Sequence, residues 1–482
     1  MMKVKKRYVS LLLAALAGGA MAQEPVATSP DGTNDDIQAL RTRIEQLELR
    51  HAESVRKAEQ AKTSEQVISD AARRSQLMEV GQITAGHKDG RFFIGSEDDK
   101  FMLRPFAQLQ FRYVATEREH FKNGSSSDTQ SGFEVRRLRF GVDGSAFSPD
   151  LTYWFNWGTQ RASGSANVVN AGGTKIGTVS NSLGGGLLLE EAWVKYRFHD
   201  TPWYIRAGQI RNPLMHDEMI GTVKQQAVER GVAADIFANA EGFTEAVEVI
   251  YDPKTNLRAE GGINHGFRSA NTNYLDFPNS NAFNFGLVGR VEYKVMGDWK
   301  DYAQIGAVDV KNPLLVIGVA ADYSERGHND QTVATIDVMY ADPSGLSLYG
   351  GVVDRWTNHN FGFYAPTITG ANVAAPPASV LGKGTNEYAM FIQAGYLINK
   401  QIEPYARFEY IHVAGTAVGS NNYIPTIAGG VNYYLYGHKL KLTAQLLYLP
   451  HGIPFDDLPN DIQASPNSRG EISGVVQVQF GL

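Results

Sequence analysis

An all-β transmembrane β-barrel of about 16 antiparallel strands, with an N-terminal helical or coiled-coil arm, is the fold class this 482-residue sequence predicts. Three observations lead there. From about Arg91 to the C-terminus, segments with apolar residues at every second position recur, the mark of strands with one apolar and one polar face. Many run to ~9–12 residues, the length a tilted strand needs to cross a bilayer, whereas soluble strands usually have ~5–6. The connections alternate long and short, as the two unlike rims of a membrane barrel do. The chain is 43% hydrophobic and 20% charged, with 49 glycines, 23 Phe, 22 Tyr and 6 Trp, a mixture suited to strands and interfacial girdles. No window reaches the ~18 apolar residues of a membrane helix, a test that a barrel escapes.

The chain begins "MMKVKKRYVSLLLAALAGGAMA", with Lys3, Lys5, Lys6 and Arg7 before an apolar stretch and Ala20-Met21-Ala22. This pattern predicts a secretory signal peptide over 1–22. Without its four cations the chain has 41 basic against 51 acidic residues, which disfavours a nucleic-acid partner. The absence of cysteine excludes disulfides and thiolate chemistry. Residues 23–34 are rich in Pro, Ser, Thr and Gly and read as a linker. From Asp35 the period changes: Ile37, Leu40, Ile44 and Leu47 fall at a/d heptad spacing in "DDIQALRTRIEQLELR". So narrow a seam buries itself only against other helices, so 35–80 is expected to form a coiled-coil arm, with a solvated helix as the alternative.

Over 91–482 the alternation places strands near 101–114, 133–143, 150–160, 188–198, 202–210, 245–252, 256–264 and 283–296. The rest fall near 313–323, 332–340, 345–354, 387–398, 402–413, 424–436, 439–449 and 471–482. Long connections are expected near 115–132, 161–187, 211–244, 265–282, 324–331, 355–386, 414–423 and 450–470. The stretch 297–312 breaks the rhythm, and "YAQIGAVDV" reads as a small hairpin arm or a slip in register.

A barrel of this size is too wide for side chains to fill, so function is expected in the lumen-facing residues and in whatever narrows the bore. With Leu138, Phe140 and Val142 toward lipid, Arg137 and Arg139 face inward; Lys195, Arg197 and Glu191 do so on the fourth strand. Arg112, Arg206, Arg258, Arg290, Arg407 and Lys441 also fall on polar faces. Cations lining a pore concentrate anions, although they can equally pair with Glu191, Glu260, Glu292 and Glu409. The connection 211–244 has helical character in "VKQQAVERGVAADIFANA" and is long enough to fold into the bore and constrict it. Its cations are Arg211, Lys224 and Arg230, outnumbered by Asp217, Glu218, Glu229, Asp235 and Glu241. "HDEM" at 216–219 has no second ligand group, so no metal is expected, and no catalytic or cofactor motif is found. On the last strand Val476, Val478 and Phe480 are expected to face lipid, closing the barrel on the first strand.

Four stretches resemble the phosphate-selective porin O and P family of Gram-negative outer membranes. They are "FMLRPFAQLQFRYV", "FEVRRLRFGVDGSAFSPDLTYWFNWG", "WYIRAGQIRNPLMHDEMIG" (with Gly208, Gln209, Ile210, Arg211 and Pro213, followed by Val228 to Arg230), and the C-terminal strand. The resemblance implies a sixteen-stranded homotrimer in the outer membrane, with its arm in the periplasm, passively admitting inorganic anions such as phosphate. It implies an anion pathway along Arg112, Arg137, Arg139, Lys195, Arg197 and Arg206, and a constriction at Arg211, Lys224 and Arg230. Val476, Val478 and Phe480 resemble the assembly signal of such barrels, with Leu482 a departure from the usual terminal aromatic. A general small-solute porin, an adhesin acting through its long loops and a secreted soluble β-protein remain as alternatives.

Overall fold

In the computed structural model residues 1–80 form one unit and residues 81–482 another. Described are 38–39, 41–57 and 62, and from 83 onward everything but 89, 120–127, 160–164, 170–174, 181–186, 239–242, 267–284, 327–328, 359–384, 414–421, 454–461 and 463–468. The expected leader and linker (1–34) lie outside the described residues, as does most of 58–80. In the arm, α1 (41–57) is helical, and Ile44, Leu47 and Val55 are exposed in the single chain.

The second unit opens with a hairpin that the strand pattern did not suggest, β1 (Ile83–Lys88) and β2 (Arg91–Ser96), joined to the start of β3 (Met102–Arg118). Next come β4 (Asp128–Ala146) and β5 (Ser148–Thr159). The following connection carries a second unanticipated hairpin, β6 (Ser165–Val169) and β7 (Lys175–Ser180). Then follow β8 (Leu187–Arg197), β9 (Trp203–Arg211), β10 (Phe243–Tyr251), β11 (Leu257–Asn264), β12 (Phe285–Met296) and β13 (Leu314–Arg326). The last seven are β14 (Asn329–Ala341), β15 (Leu346–Thr357), β16 (Thr385–Tyr396), β17 (Ile402–His412), β18 (Tyr423–Tyr434), β19 (Leu440–Leu449) and β20 (Glu471–Gly481).

Sixteen of these, β3–β5 and β8–β20, each pair antiparallel with the next, and β20 pairs back onto β3 from Glu471↔Arg118 to Gly481↔Gln108. The barrel is closed and leaves no free edge, so every backbone polar group of a strand finds a partner without water. The pattern of β19 shows why these residues make such strands: Leu442, Leu446 and Tyr448 are exposed on the outside, and Lys441, Thr443 and Gln445 are buried inside. The tight connections collect at one rim, where Phe147, Asp200, Lys254 and Gly345 take the positive φ that short turns need.

Two expectations about connections change. The one placed at 324–331 shrinks to 327–328, because β13 and β14 pair without interruption to Arg326↔Asn329. The segment 297–312 forms no hairpin: β12 and β13 pair directly with each other at its base, with one bulge at Val295 between Lys294↔Val316 and Met296↔Leu315. It leaves the short-turn rim and folds inward, burying Tyr302, Ile305, Ala307, Val308 and Val310. It holds only a single 3-10 turn at Asp301–Ala303.

Val476, Val478 and Phe480 lie on the outer face, 57%, 41% and 43% exposed, while Gln477 and Gln479 are buried inside. Phe480 sits between Leu440 and Leu109 at the closing seam. A Phe480→Asp chain is expected to yield mostly unfolded monomer, because a charge on the lipid face opposes insertion. Cold SDS electrophoresis reads this, and a normal yield of the folded, heat-modifiable form refutes it.

Candidate functional site

Two β-bulges set which charges enter the lumen. In β4 the register with β3 jumps from Gln110↔Arg137 to Phe111↔Val135, leaving Arg136 as the extra residue. A bulge breaks strict alternation, and here Arg136 and Arg137 both point inward. In β8 the register with β5 jumps from Asn156↔Glu191 to Trp157↔Leu189, leaving Glu190 as the extra residue. Its carboxylate turns in to Arg139 Nε at 2.6 Å and accepts from Asn156 at 2.8 Å. The bulge also frees two carbonyls, and Gln209 of β9 donates to both Leu189 O and Glu190 O at 2.8 Å. Gly208 beside it has φ 132°, and a Cβ there would press on the Ala192 carbonyl and the Trp193 backbone. The Gly208-Gln209 pair thus seats the bulged strand.

From the end of β9, residues 212–238 fold into the barrel as a strap. It contains α2 (His216–Met219), a 3-10 turn (Thr222–Lys224) and α3 (Val232–Phe237), and almost all of it is buried. Wall side chains bind its backbone, as a chain without long helices requires. The Glu409 carboxylate accepts from Val232 N and Ala233 N at 3.0 Å, capping α3. Lys441 donates to Gln225 O, Asn432 to Gln226 O, Arg407 to Glu229 O and Arg355 to Ile236 O. Gln445 accepts from Val228 N, and Gln479 donates to Val223 O. Beneath α3 the inner wall is apolar, with Val316, Val333, Val353, Phe391 and Ile411 in one cluster with Ile236 and Phe237. The run "LLVIGVAA" in β13, apolar on both faces, was the sequence signal for this covered wall.

The arginines of β3 and β4 meet the strap at one point. Glu229 takes Arg112 Nη1 at 2.7 Å, Arg136 Nε at 2.5 Å and Arg137 Nη2 at 2.6 Å, and Arg112 also pairs with Glu134. Burial alone would raise the Glu229 carboxyl, yet Arg136, Arg137 and Arg112 hold it well below the usual carboxylate range. Pairing is the rule among the expected pathway and constriction residues. Arg139 binds Glu190 and Thr222; Arg206 binds Glu248 and Glu260; Arg211 binds Glu191 and the Glu218 carbonyl; Arg230 reaches Glu218 and strap carbonyls. Arg197 stands apart from the wall, bound to Asp150 beside His199 at the short-turn rim. Lys195 and Lys224 differ. Lys195 lies over the Trp193 and Tyr204 rings with no ion pair among the described residues, and Lys224 is exposed on the strap. Alternation missed Arg136 because "VRRLR" does not show which arginine is the extra one.

The strap divides the lumen unequally. Inward side chains on β12–β20 and β3–β4 are mostly buried, among them Arg290 and Lys441 at 1% exposure. On β5, β8, β9 and β11 the inward residues nearest the short-turn rim, including Trp193, Lys195, Tyr204, Arg206, Arg258 and Glu260, are only half-buried, although Asn156, Glu191, Gln209 and, on β10, Glu248 are buried. Water therefore reaches the β5–β11 side of the bore.

The family model described as "Phosphate-selective porin O and P" matches residues 108–273, the stretch holding β4, both bulges and the strap. No curated protein matches the chain in sequence. Among solved structures, "Anion-selective porin from Comamonas acidovorans" is similar at 12% identity and a TM-score of 0.48, over 79% of this chain and 99% of that one. "Outer-membrane expressed OmpT of Vibrio cholerae" is similar at 9% identity and TM-score 0.47, over 79% of this chain and 98% of that one. "High pH structure of Pseudomonas putida OprB" is similar at 9% identity and TM-score 0.47, over 78% and 94%.

Proposed function

We propose, proceeding from the match of residues 108–273 to the phosphate-selective porin O and P family model, that the chain is a passive outer-membrane diffusion channel favouring anions. The observation that carries this reading is the closed sixteen-stranded barrel with a strap across its bore. Solute passes on the β5–β11 side, where Lys195 and the strap's Lys224 offer positive charge to water, while Arg206 and Arg258 are paired with carboxylates. Phosphate and other inorganic anions are the expected solutes, and the strap 212–238 is the constriction. The pairing of Arg112, Arg137 and Arg139 with carboxylates favours the broader version, an anion-preferring porin without strong phosphate selection. In this reading the chain acts as a homotrimer, α1 packs its exposed Ile44 and Leu47 against two copies in the periplasm, and Val476, Val478 and Phe480 serve assembly.

The test is the reversal potential of the purified protein across a planar bilayer in a KCl gradient. Chloride is expected to carry the larger share, with the ratio falling roughly two-fold in a Lys195→Gln, Lys224→Gln chain, as loss of local charge from a focusing channel predicts. A reversal potential of cation sign refutes the anion preference. Equal permeability of phosphate and chloride selects the broader reading.

A further inference from the structure

Four aromatic side chains stand on the inward face of neighbouring strands, on the same side of the bore as the free lysine. Phe106 of β3 stacks on Trp154 of β5 with centroids 4.6 Å apart and planes 27° apart. Trp154 lies near-parallel to Trp193 of β8, 6.4 Å away at 10°. Tyr204 of β9 continues the row, and the Lys195 ammonium lies 5.6 Å from the Trp193 ring centre and 5.5 Å from that of Tyr204. The Arg206 guanidinium is 5.8 Å from the Trp193 ring. Between β3 and β5, β4 contributes Gly141, where a Cβ would lie 2.5 Å from Phe106 Cζ; the missing side chain lets Phe106 reach Trp154 across a strand. The Trp154 indole N–H has no acceptor among the described residues, so stacking rather than hydrogen bonding holds the row.

Lys195 sets this arrangement apart from the arginine–carboxylate pairs of the wall, to which Arg206 itself belongs. Indole faces offer flat, polarisable surface to another ring, and their quadrupole holds a cation over them. A lysine so placed, without a carboxylate partner, keeps its charge available to an incoming anion. A ligand with a planar ring and a carboxylate one bond away answers both features, displacing the lysine stem from the ring and pairing with its ammonium.

We propose that the track formed by Phe106, Trp154, Trp193 and Tyr204, with Lys195 over it, is a binding site for aromatic carboxylates in the solute pathway. This rests on the reading of the bore as a solute channel, and the test separates the two. The probe is sodium benzoate, compared at equal ionic strength with cyclohexanecarboxylate and acetate. Benzoate is expected to block single-channel chloride current about three- to ten-fold more tightly than cyclohexanecarboxylate, the gain of roughly one stacking contact. Trp193→Leu is expected to remove that difference, Trp193→Phe to keep most of it, and Lys195→Gln to weaken both carboxylates together. Equal block by the two cyclic acids, or an unchanged preference in Trp193→Leu, overturns the proposal. A protein that carries no current refutes the channel reading. The site is then read by tryptophan emission of the detergent-solubilised protein, where saturable quenching by benzoate, lost in Trp193→Leu, supports it. Quenching no different from acetate refutes it.

Discussion

Glu229→Gln is expected to make the channel strongly anion-selective and to raise its conductance. In the folded chain this carboxylate ion-pairs with Arg112, Arg136 and Arg137, and Glu134 also contacts Arg112. The substitution keeps the side chain's shape and removes one negative charge from a place where Arg112 is 1% exposed. Removing one partner from a buried charge cluster is costly, on the order of 3–5 kcal/mol when a buried pair is broken. The strap can relieve that cost by lifting and admitting water and chloride. Anion permeability relative to cations is expected to rise by roughly ten-fold, at the low end of what focused fields produce. Phosphate is expected to block the variant at lower concentration than the parent, since three converging guanidinium groups fit its oxygens. An unchanged reversal potential in a KCl gradient refutes the reading of Glu229 as the group that masks the arginines.

Acid does not reproduce this variant at ordinary pH. The arginines lower the folded carboxyl well below its usual 4.5, so its stabilising contribution is present above about 4.5. It is lost only as pH falls through the lowered value. Selectivity of the parent is accordingly expected to stay level from pH 7 down to about 4.5 and to shift only in stronger acid, which reversal potentials across that range check.

The sixteen strands were legible because a lipid-facing strand has to alternate, and alternation survives in a single sequence. The strap was legible from its length and its helical stretch, which becomes the 3-10 turn at Thr222–Lys224 and α3. The bulges at Arg136 and Glu190 were not, since a one-residue insertion against a partner depends on the partner's register. For that reason Arg137 was placed inward correctly while Arg136, its equal at Glu229, was overlooked. The pairing of the wall cations was open for the same cause: nothing in the sequence marks Glu248, on the strand that follows the strap, as the partner of Arg206, yet the closed sheet sets it directly opposite. The hairpin β1–β2 escaped because its strands are only six residues each, below the length that marked the others.

Arg290→Leu is expected to loosen both segments that enter the bore while leaving the barrel intact. Arg290 of β12 forms a two-point pair with Asp337 of β14, at 2.8 and 2.9 Å, and a third bond to Glu292 at 2.8 Å. It also donates to Leu214 O in the strap and to the Tyr302 hydroxyl in the inward segment of 297–312. The two segments meet beside it, where the His216 ring stacks on Tyr302 at 3.8 Å and Ile305 N donates to Lys224 O. One guanidinium thus fastens a connection from each rim to the wall. Its loss leaves Asp337 and Glu292 as buried charge without a cation, again a cost on the order of 3–5 kcal/mol, most easily relieved by letting both segments swing into water. The strands keep their ladder of backbone bonds, so heat-modifiable mobility in SDS is expected to be that of the parent. Single-channel conductance is expected to rise several-fold with flickering between levels, and trypsin is expected to cut faster at Lys300 and Lys311, which are exposed but held in the parent by the segment's fixed backbone. Asp337→Asn is expected to act in the same direction but more weakly, because an amide oxygen can still accept from Arg290 and from His216 N. Quiet, parent-like current from Arg290→Leu refutes the assignment of this residue as the shared fastening.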